Sequence, residues 1–339
     1  MTNTTRIHHL FQSHSLPRSE LRLLLESRSE ADAALLFQKA RETRERVYGK
    51  AVWLRGLIEI SNHCKNDCLY CGLRRSNEKI ERYRLCQDEI LSCCGNGYAQ
   101  GLRSFVLQGG EDPAFTDGYL IPIVEKIRAE FPGCAITLSL GERGRDSYEG
   151  LYRAGADRCL LRHETANEAH YAALHPPEMR LNERLDCLRS LKEIGYQVGC
   201  GFMVGTPGQS VGCLLDDLEF LAAFRPHMVG IGPFIPHQDT PFAREPRGSL
   251  GLTLFLLGLT RLLLPEALIP ATTALGSIHP QGRELGLRAG ANILMPNITP
   301  AAARAKYAPY DNKIATNEEN AVVKAGYFTE KNRGDHIHV

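Results

Sequence analysis

The sequence predicts an α/β protein folded as a complete (β/α)8 TIM barrel with helices ahead of it. Three observations lead there. Eight short apolar or β-branched runs alternate with helical stretches, which implies a parallel sheet with right-handed crossovers. The span from the first run to the last is roughly 250 residues, the usual size of such a barrel. Glycine and proline punctuate the joints at Gly109-Gly110, Pro132-Gly133, Gly155, Gly195, Pro207-Gly208 and Gly290. An open doubly wound sheet is the alternative, but the glycine pattern of a dinucleotide fold is missing after the first strand.

Taken in order, two helices are expected first. Residues 17–27 start at Pro17 and carry Leu21, Leu23, Leu24 and Leu25; residues 29–46 start at Ser29 with an apolar stripe through Leu36 and Ala40. The strands are read at Leu54–Ile60, Ser104–Gln108, Ala135–Leu140, Arg158–His163, Gln197–Val204, Met228–Pro233, Ile269–Thr273 and Asn292–Met295. Helices are expected near 87–100, 117–131, 146–154, 181–194, 210–224, 250–264 and 280–289. This divides the chain into an N-terminal helical cap (1–50), the barrel (51–310) and a polar tail (311–339) with one weak helix and a mobile end.

Composition narrows the function. Of 339 residues, 43% are apolar and 23% charged, and 40 basic against 39 acidic side chains leave +1. No whole-chain field favours nucleic acid or an anionic membrane. The longest apolar run, 252–259, is far short of a span. With no secretory segment visible at the start, eleven cysteines suggest a cytoplasmic protein with reduced thiols. There, clustered cysteines hold metal or do chemistry more often than they form disulfides.

The cluster is SNHCKNDCLYCGL at 61–73, where Cys64, Cys68 and Cys71 form C-x3-C-x2-C directly after the first strand. In a barrel that loop lies at the C-terminal mouth, where chemistry is found. Three thiolates are one short of a structural zinc site and leave one iron of a four-iron cluster open. His63, Cys86, Cys93 or Cys94 could complete a zinc site instead. Other groups converge on the same mouth. Gln108-Gly109-Gly110-Glu111 ends the second strand, and its bare peptide groups suit an amine or carboxylate, or simply a loop. Strand 4 ends as Arg162-His163-Glu164, and Arg184 is a candidate carboxylate grip; the plain alternative is a surface salt-bridge network. Glycines alternate in strand 6 around Ile231, which suits either a flat ligand or tight packing. Thr272-Thr273 and Met295 suit a polar, sulfur-containing substrate.

These residues resemble the radical S-adenosylmethionine (SAM) superfamily, through the cysteine motif with Tyr70 before its third cysteine and GGED after the second strand. Residues 62–83, with VLQGGEDP, TLSLGE, LLRHETAN, MVGTPGQ, MVGIGPFIPH, PATTALGS and MPNITP, resemble its [FeFe]-hydrogenase maturase family, HydE, and separate it from biotin synthase and methylornithine synthase. The resemblance implies a barrel holding a [4Fe–4S] cluster, with Cys64, Cys68 and Cys71 each on one iron. The amino and carboxylate groups of SAM would take the fourth. Reductive cleavage would then yield a 5′-deoxyadenosyl radical. Cofactor contacts are expected from Tyr70, Gly109, Gly110, Glu111, Glu164, Arg184, Met203 and Ile231. The substrate implied is an iron–cysteine complex carrying carbon monoxide and cyanide, supplied by HydG and passed on towards the scaffold HydF, with a separate electron donor. Its pocket would be Gln108, Thr137, Ser139, Arg162, Met228, Thr272, Thr273, Met295 and Tyr310. The N-terminal helices and the tail near Tyr307 would cap the chamber against water. Some family members bind a second cluster through C-terminal cysteines; here Cys213 is the last cysteine, Ala315 stands in part of the matching region, and Ile298 replaces an aromatic. Another radical reaction on a small amino acid, or a non-catalytic iron–sulfur carrier, remain the competing functions.

Overall fold

The computed structural model describes residues 1–313 and 318–338, so Ala315 lies outside the described residues. Three helices come first: Asn3–Ser13, Arg18–Ser27 and Glu30–Tyr48. The first has no counterpart among the expected elements, because its polar, histidine-rich sequence buries only Arg6, Ile7 and Leu10. The third begins with a full capping box, in which Ser29 and Asp32 satisfy each other's backbone amides.

The first expected strand is two: β1 (Ala51–Leu54) and β2 (Gly56–Ser61), interrupted at Arg55. The strands that follow are β3 (Ser104–Gly109), β4 (Ala135–Ser139), β5 (Arg158–Leu160), β6 (Gln197–Cys200), β7 (Met203–Val204), β8 (Met228–Val229), β9 (Gly232–Pro233), β10 (Ile293–Leu294) and β11 (Phe328–Glu330). A six-stranded, wholly parallel sheet runs β2-β3-β4-β5-β6-β8. β10, β1 and β11 form a second parallel sheet, and β7 pairs with β9. β2 is buried at all six positions, the mark of a parallel strand covered on both faces. Helices Gln87–Ala99, Asp117–Glu130, Arg145–Arg153, Leu181–Ile194, Val211–Phe224, Leu250–Leu263 and Gly282–Arg288 fall where the alternation puts them.

The expected seventh strand is reduced to single bridges, Met228 to Leu268 and Pro270 to Ile293. Thr273 instead starts a short helix, Thr273–Ile278. Two further helices, Glu168–Leu174 and Ala301–Lys306, and the strand β11 were not legible in the sequence.

Two expectations about the chain ends are corrected. The N-terminal helices do not cap the mouth. The helix Glu30–Tyr48 packs beside Leu250–Leu263, with Leu36 against Gly258, and Arg18 of the second helix pairs with Asp216 at 2.7 Å. Leu250–Leu263 is apolar around most of its circumference and needs a second greasy neighbour, which that stripe provides. Nor is the tail a mobile end: a helix Glu318–Ala325 precedes β11, which pairs with β1. Beyond it Asn332 accepts from Trp53 Nε1 at 2.7 Å, Gly334 O from Arg55 at 3.2 Å, and Asp335 pairs with the fully buried Arg158 at 2.7 Å. Buried guanidinium groups need acceptors, and the tail carries them across the end where the strands begin. Among the described residues no helix is long and apolar enough to cross a membrane.

Candidate active site

The site lies where the strands end. Ser61 closes β2, its hydroxyl donating to Asp112 at 2.6 Å. Lys65 N then bonds Glu111 O at 2.9 Å, seating the cysteine loop on the turn after β3. That turn must be glycine at 110, because a Cβ there would lie 2.2 Å from His63 O and 2.8 Å from Cys64 Cβ. Within the loop, Asp67 accepts two bonds from Arg74, at 2.8 and 2.7 Å, and two from Ser76. The Arg74 guanidinium beside it holds the Asp67 carboxyl well below the usual carboxylate range, against the opposing effect of burial.

Cys64, Cys68 and Cys71 are free thiols facing one cavity of about 330 Å³. Burial, followed by mutual repulsion, pushes the Cys71 thiol up to about 12 and Cys68 higher still; burial also raises Cys64. Three thiols that resist ionising together favour a cationic body between them. Among the described residues no three His, Cys, Asp or Glu side chains converge on a single metal ion. Of the side chains that could complete a zinc site, His63, Cys86, Cys93 and Cys94 do not line this cavity.

Charged side chains share the cavity with the cysteines. Glu111, 8% exposed, has Lys65 at 3.3 Å and Arg184 at 3.5 Å; Arg184 also meets Glu142 at 2.8 Å. Arg184 is thus engaged within the protein, through Tyr171 and the Arg162 carbonyl as well. Arg162 stands in the same cavity, where its Nη2 pairs with Glu164 Oε2 at 3.2 Å and its buried Nε has no hydrogen-bond partner. An unmade bond of this kind costs about 1–3 kcal/mol, and a ligand bearing an acceptor would recover it.

Glu164 has φ +66°, a left-handed conformation unusual outside glycine and worth about 1–3 kcal/mol of strain. Neighbours hold it there. Its N–H donates to Gly201 O at 3.0 Å, and its carbonyl accepts from Met203 N at 3.1 Å. Behind it His163 accepts from Gly201 N and faces Asp217 at 3.3 Å, while Asp217 accepts from Ala166 N at 2.6 Å. Burial drives His163 down to about 3 and raises the Asp217 carboxyl well above its ordinary value. On the other side Tyr70 OH donates to His175 Nε2 at 3.1 Å, and His175 Nδ1–H donates to Tyr171 O.

The same cavity gathers Tyr70, Gly109, Gly110, Glu111, Glu164, Arg184, Met203, Gln108, Ser139, Arg162 and Tyr310. Thr273 and Met295 line an adjoining cavity of about 500 Å³, which shares Tyr307 and Tyr310 with the first. Four expected residues line neither. Ile231 is fully buried and belongs to the apolar core; Pro233, Phe234 and Ile235 take its place at the wall. Of the alternating glycines, Gly232 leaves room for Thr272 Oγ1, 3.1 Å from where a Cβ would sit. Met228 sits low, its sulfur accepting from Arg55 at 2.8 Å. Thr137 and Thr272 keep buried hydroxyls without partners. Residues the reading missed include Gly141 and Tyr171. Gly141, at φ +78°, lies under Glu111, whose Cγ would be 1.9 Å from an added Cβ; the TLSLGE run was its only signal.

A barrel-like parallel sheet with three cysteines at the mouth defines a radical SAM enzyme, and that superfamily's sequence profile matches residues 58–221. The [FeFe]-hydrogenase maturase subunit HydE of Thermotoga maritima is 49% identical over 285 residues, 84% of this chain and 81% of its own. The chain therefore belongs to the HydE family. A 3-methylornithine synthase of Methanosarcina acetivorans is 29% identical over 314 residues, 92% of this chain and 88% of its own. The crystal structure of methylornithine synthase (PylB) superposes with a TM-score of 0.85 at 26% identity, covering 96% of this chain and 97% of that one.

Proposed function

We propose that the chain acts in hydrogenase maturation, with Cys64, Cys68 and Cys71 holding three irons of a [4Fe–4S] cluster and SAM chelating the fourth. The carrying observation is the cavity, where three free thiols share one space with the Arg162–Glu164 pair and with Glu111 and Arg184. Once reduced, the bound group supplies the electron that splits the sulfonium S–C5′ bond. The protein's own part is placement. Gly109 and Gly110 present backbone to the amino acid end of the cofactor, Glu111 and Glu164 accept from its donors, and Arg162 donates to its acceptors. Tyr70, held by His175, borders the same space.

Gln108, Ser139, Met295, Thr273 and Tyr310 would receive the substrate, an iron–cysteine complex bearing carbon monoxide and cyanide made by HydG. Its product would pass to HydF, in the cytoplasm, with a separate electron donor and no nucleic acid or membrane involved. The pairing of β1 with β10 and the single bridges at Leu268 and Pro270 support a ring closed as a complete (β/α)8 barrel, flanked by the helical segment 1–50 and the tail 311–339. A closed ring keeps water from a carbon radical.

The experiment is anaerobic incubation with SAM, reductant and the iron–cysteine complex, with mass spectrometry of the adenosyl product. An adduct between the adenosyl carbon and the cysteine sulfur is expected. Free 5′-deoxyadenosine formed at the same rate with and without that complex would move the chain to another substrate. Arg162→Ala is expected to keep its iron yet lose SAM affinity by tenfold or more; unchanged affinity would remove Arg162 from the site.

A further inference from the structure

The segment 62–84 carries six basic side chains, and five have a carboxylate within 4 Å: Lys65 with Glu111, Arg74 with Asp67, Arg75 with Glu178, Lys79 with Asp239 and Arg84 with Asp112. Among the described residues Arg82 has none. Its guanidinium is spent on backbone carbonyls: Nη1 donates to Asn62 O and, at 3.0 Å, to Leu73 O; Nη2 donates to Arg74 O at 2.8 Å and Asn77 O at 3.0 Å. Asn62 precedes the first cysteine and Leu73 follows the last. One rigid fork thus ties the entry of the cysteine loop to its exit, a geometry that a lysine ammonium on a flexible stem does not reproduce. Carbonyl dipoles satisfy its N–H groups but leave a full positive charge. Its carbonyl partners Asn62 and Leu73 each lie two residues from an end of the trio, Cys64 and Cys71, so the charge stands beside the loop that carries the sulfurs.

We propose that Arg82 is the positioning residue of the cysteine loop, clasping its two ends and placing a fixed, unpaired positive charge beside the thiolates so that the iron–sulfur group they hold is easier to reduce. The inference rests on that reading of the three cysteines. Adding one electron to a group already ringed by three thiolates raises its negative charge, and a neighbouring cation favours the reduced form.

Two substitutions separate clasp from charge. Arg82→Lys keeps the charge and loses the fork; Arg82→Gln loses both. Arg75→Gln, at an exposed position of the same loop, controls for charge alone. Each protein is reconstituted anaerobically. Iron release to a chelator is timed, and the one-electron midpoint is found by titration with dithionite, followed by electron paramagnetic resonance. Both Arg82 variants are expected to release iron at least tenfold faster than wild type. The midpoint should move negative in Arg82→Gln and stay at the wild-type value in Arg82→Lys and Arg75→Gln. If Arg82→Gln folds but retains no iron, the clasp is supported and Arg82→Lys alone decides the charge: a wild-type midpoint upholds it, a shifted one overturns it. Wild-type iron release in both variants overturns the clasp, and a wild-type midpoint in Arg82→Gln overturns the charge. A wild-type chain that binds no four-iron group would instead sink the reading beneath the inference.

Discussion

Replacing Gly110 by alanine tests whether the turn after β3 carries the cysteine loop. The backbone there needs no left-handed conformation, so the effect is steric alone. An added Cβ would stand 2.2 Å from His63 O and 2.8 Å from Cys64 Cβ. The first contact is about 1 Å inside the ~3.3 Å at which carbon and oxygen normally meet. Neither neighbour is the end of a flexible side chain, so relief requires moving the backbone of residues 63–64 or the turn itself. Overpacking of this kind costs about 1–3 kcal/mol. The displacement falls on the first cysteine, so iron retention should suffer more than global stability. The assay pairs urea unfolding of the apoprotein with iron content after anaerobic reconstitution. Gly133→Ala is the control, since nothing lies within 4 Å of its added Cβ; it should stay within about 0.5 kcal/mol of wild type. A Gly110→Ala protein with a wild-type urea midpoint and a full iron complement would refute the seating of the loop on that turn.

Asp217→Asn should be nearly silent, because burial raises the Asp217 carboxyl and disfavours its charge, and an amide oxygen can still accept from Ala166 N and His163. Asp217→Ala should cost about 1–3 kcal/mol for each donor left unpaired, and should weaken SAM binding by loosening Glu164; equal damage from both substitutions, by urea unfolding and equilibrium binding, would show that an ionised carboxylate is required. At the other end of the sheet, burial raises the Asp335 carboxyl, but Arg333 and Arg158 outweigh it and hold it at about 2. A carboxyl depressed in the folded state stabilises above its unfolded value near ~3.9, and that stability fades as pH falls towards 2. Asp335→Asn should therefore flatten the urea midpoint between pH 4 and 2 while lowering it at pH 7. The loss at pH 7 should sit at the lower end of the ~3–5 kcal/mol for a broken buried pair, because water reaches Asp335 and Arg158 keeps its bonds to Ser104 and Arg333. An unchanged acid profile would mean that the tail does not hold Arg158.

The alternating periods made most of the sheet readable, since β3, β4 and the interhelical joints are set by local apolar runs and glycines. The strand expected at Ile269–Thr273 shrinks to single bridges at Leu268 and Pro270, because a run that looks β-branched ends with Thr272 capping a helix. The tail misled for a related reason: its residues are polar, and they are docked by two arginines, Arg55 and Arg158, far away in sequence. At the site, the cysteines, the GGE turn and Arg162-His163-Glu164 follow from chain position, because strand ends in a parallel sheet share one face. Which side of strand 6 faces the cavity does not follow. Ile231 and Pro233 are two residues apart and would share a face of a regular strand, but the break between β8 and β9 turns one into the core and the other to the cavity. Arg184 shows the other limit: pattern identified a candidate cation, while only the fold shows its pairing with Glu142 and Tyr171.

The most direct measurement is electron paramagnetic resonance of the anaerobically reconstituted, dithionite-reduced protein, recorded with and without SAM carrying an isotopic label on its amino nitrogen. The account predicts a [4Fe–4S] signal that shifts on addition and gains a hyperfine coupling to the labelled nitrogen, and that is lost in Cys64→Ala, Cys68→Ala and Cys71→Ala alike. A signal indifferent to SAM, or one surviving intact when any of those three thiols is removed, would contradict it.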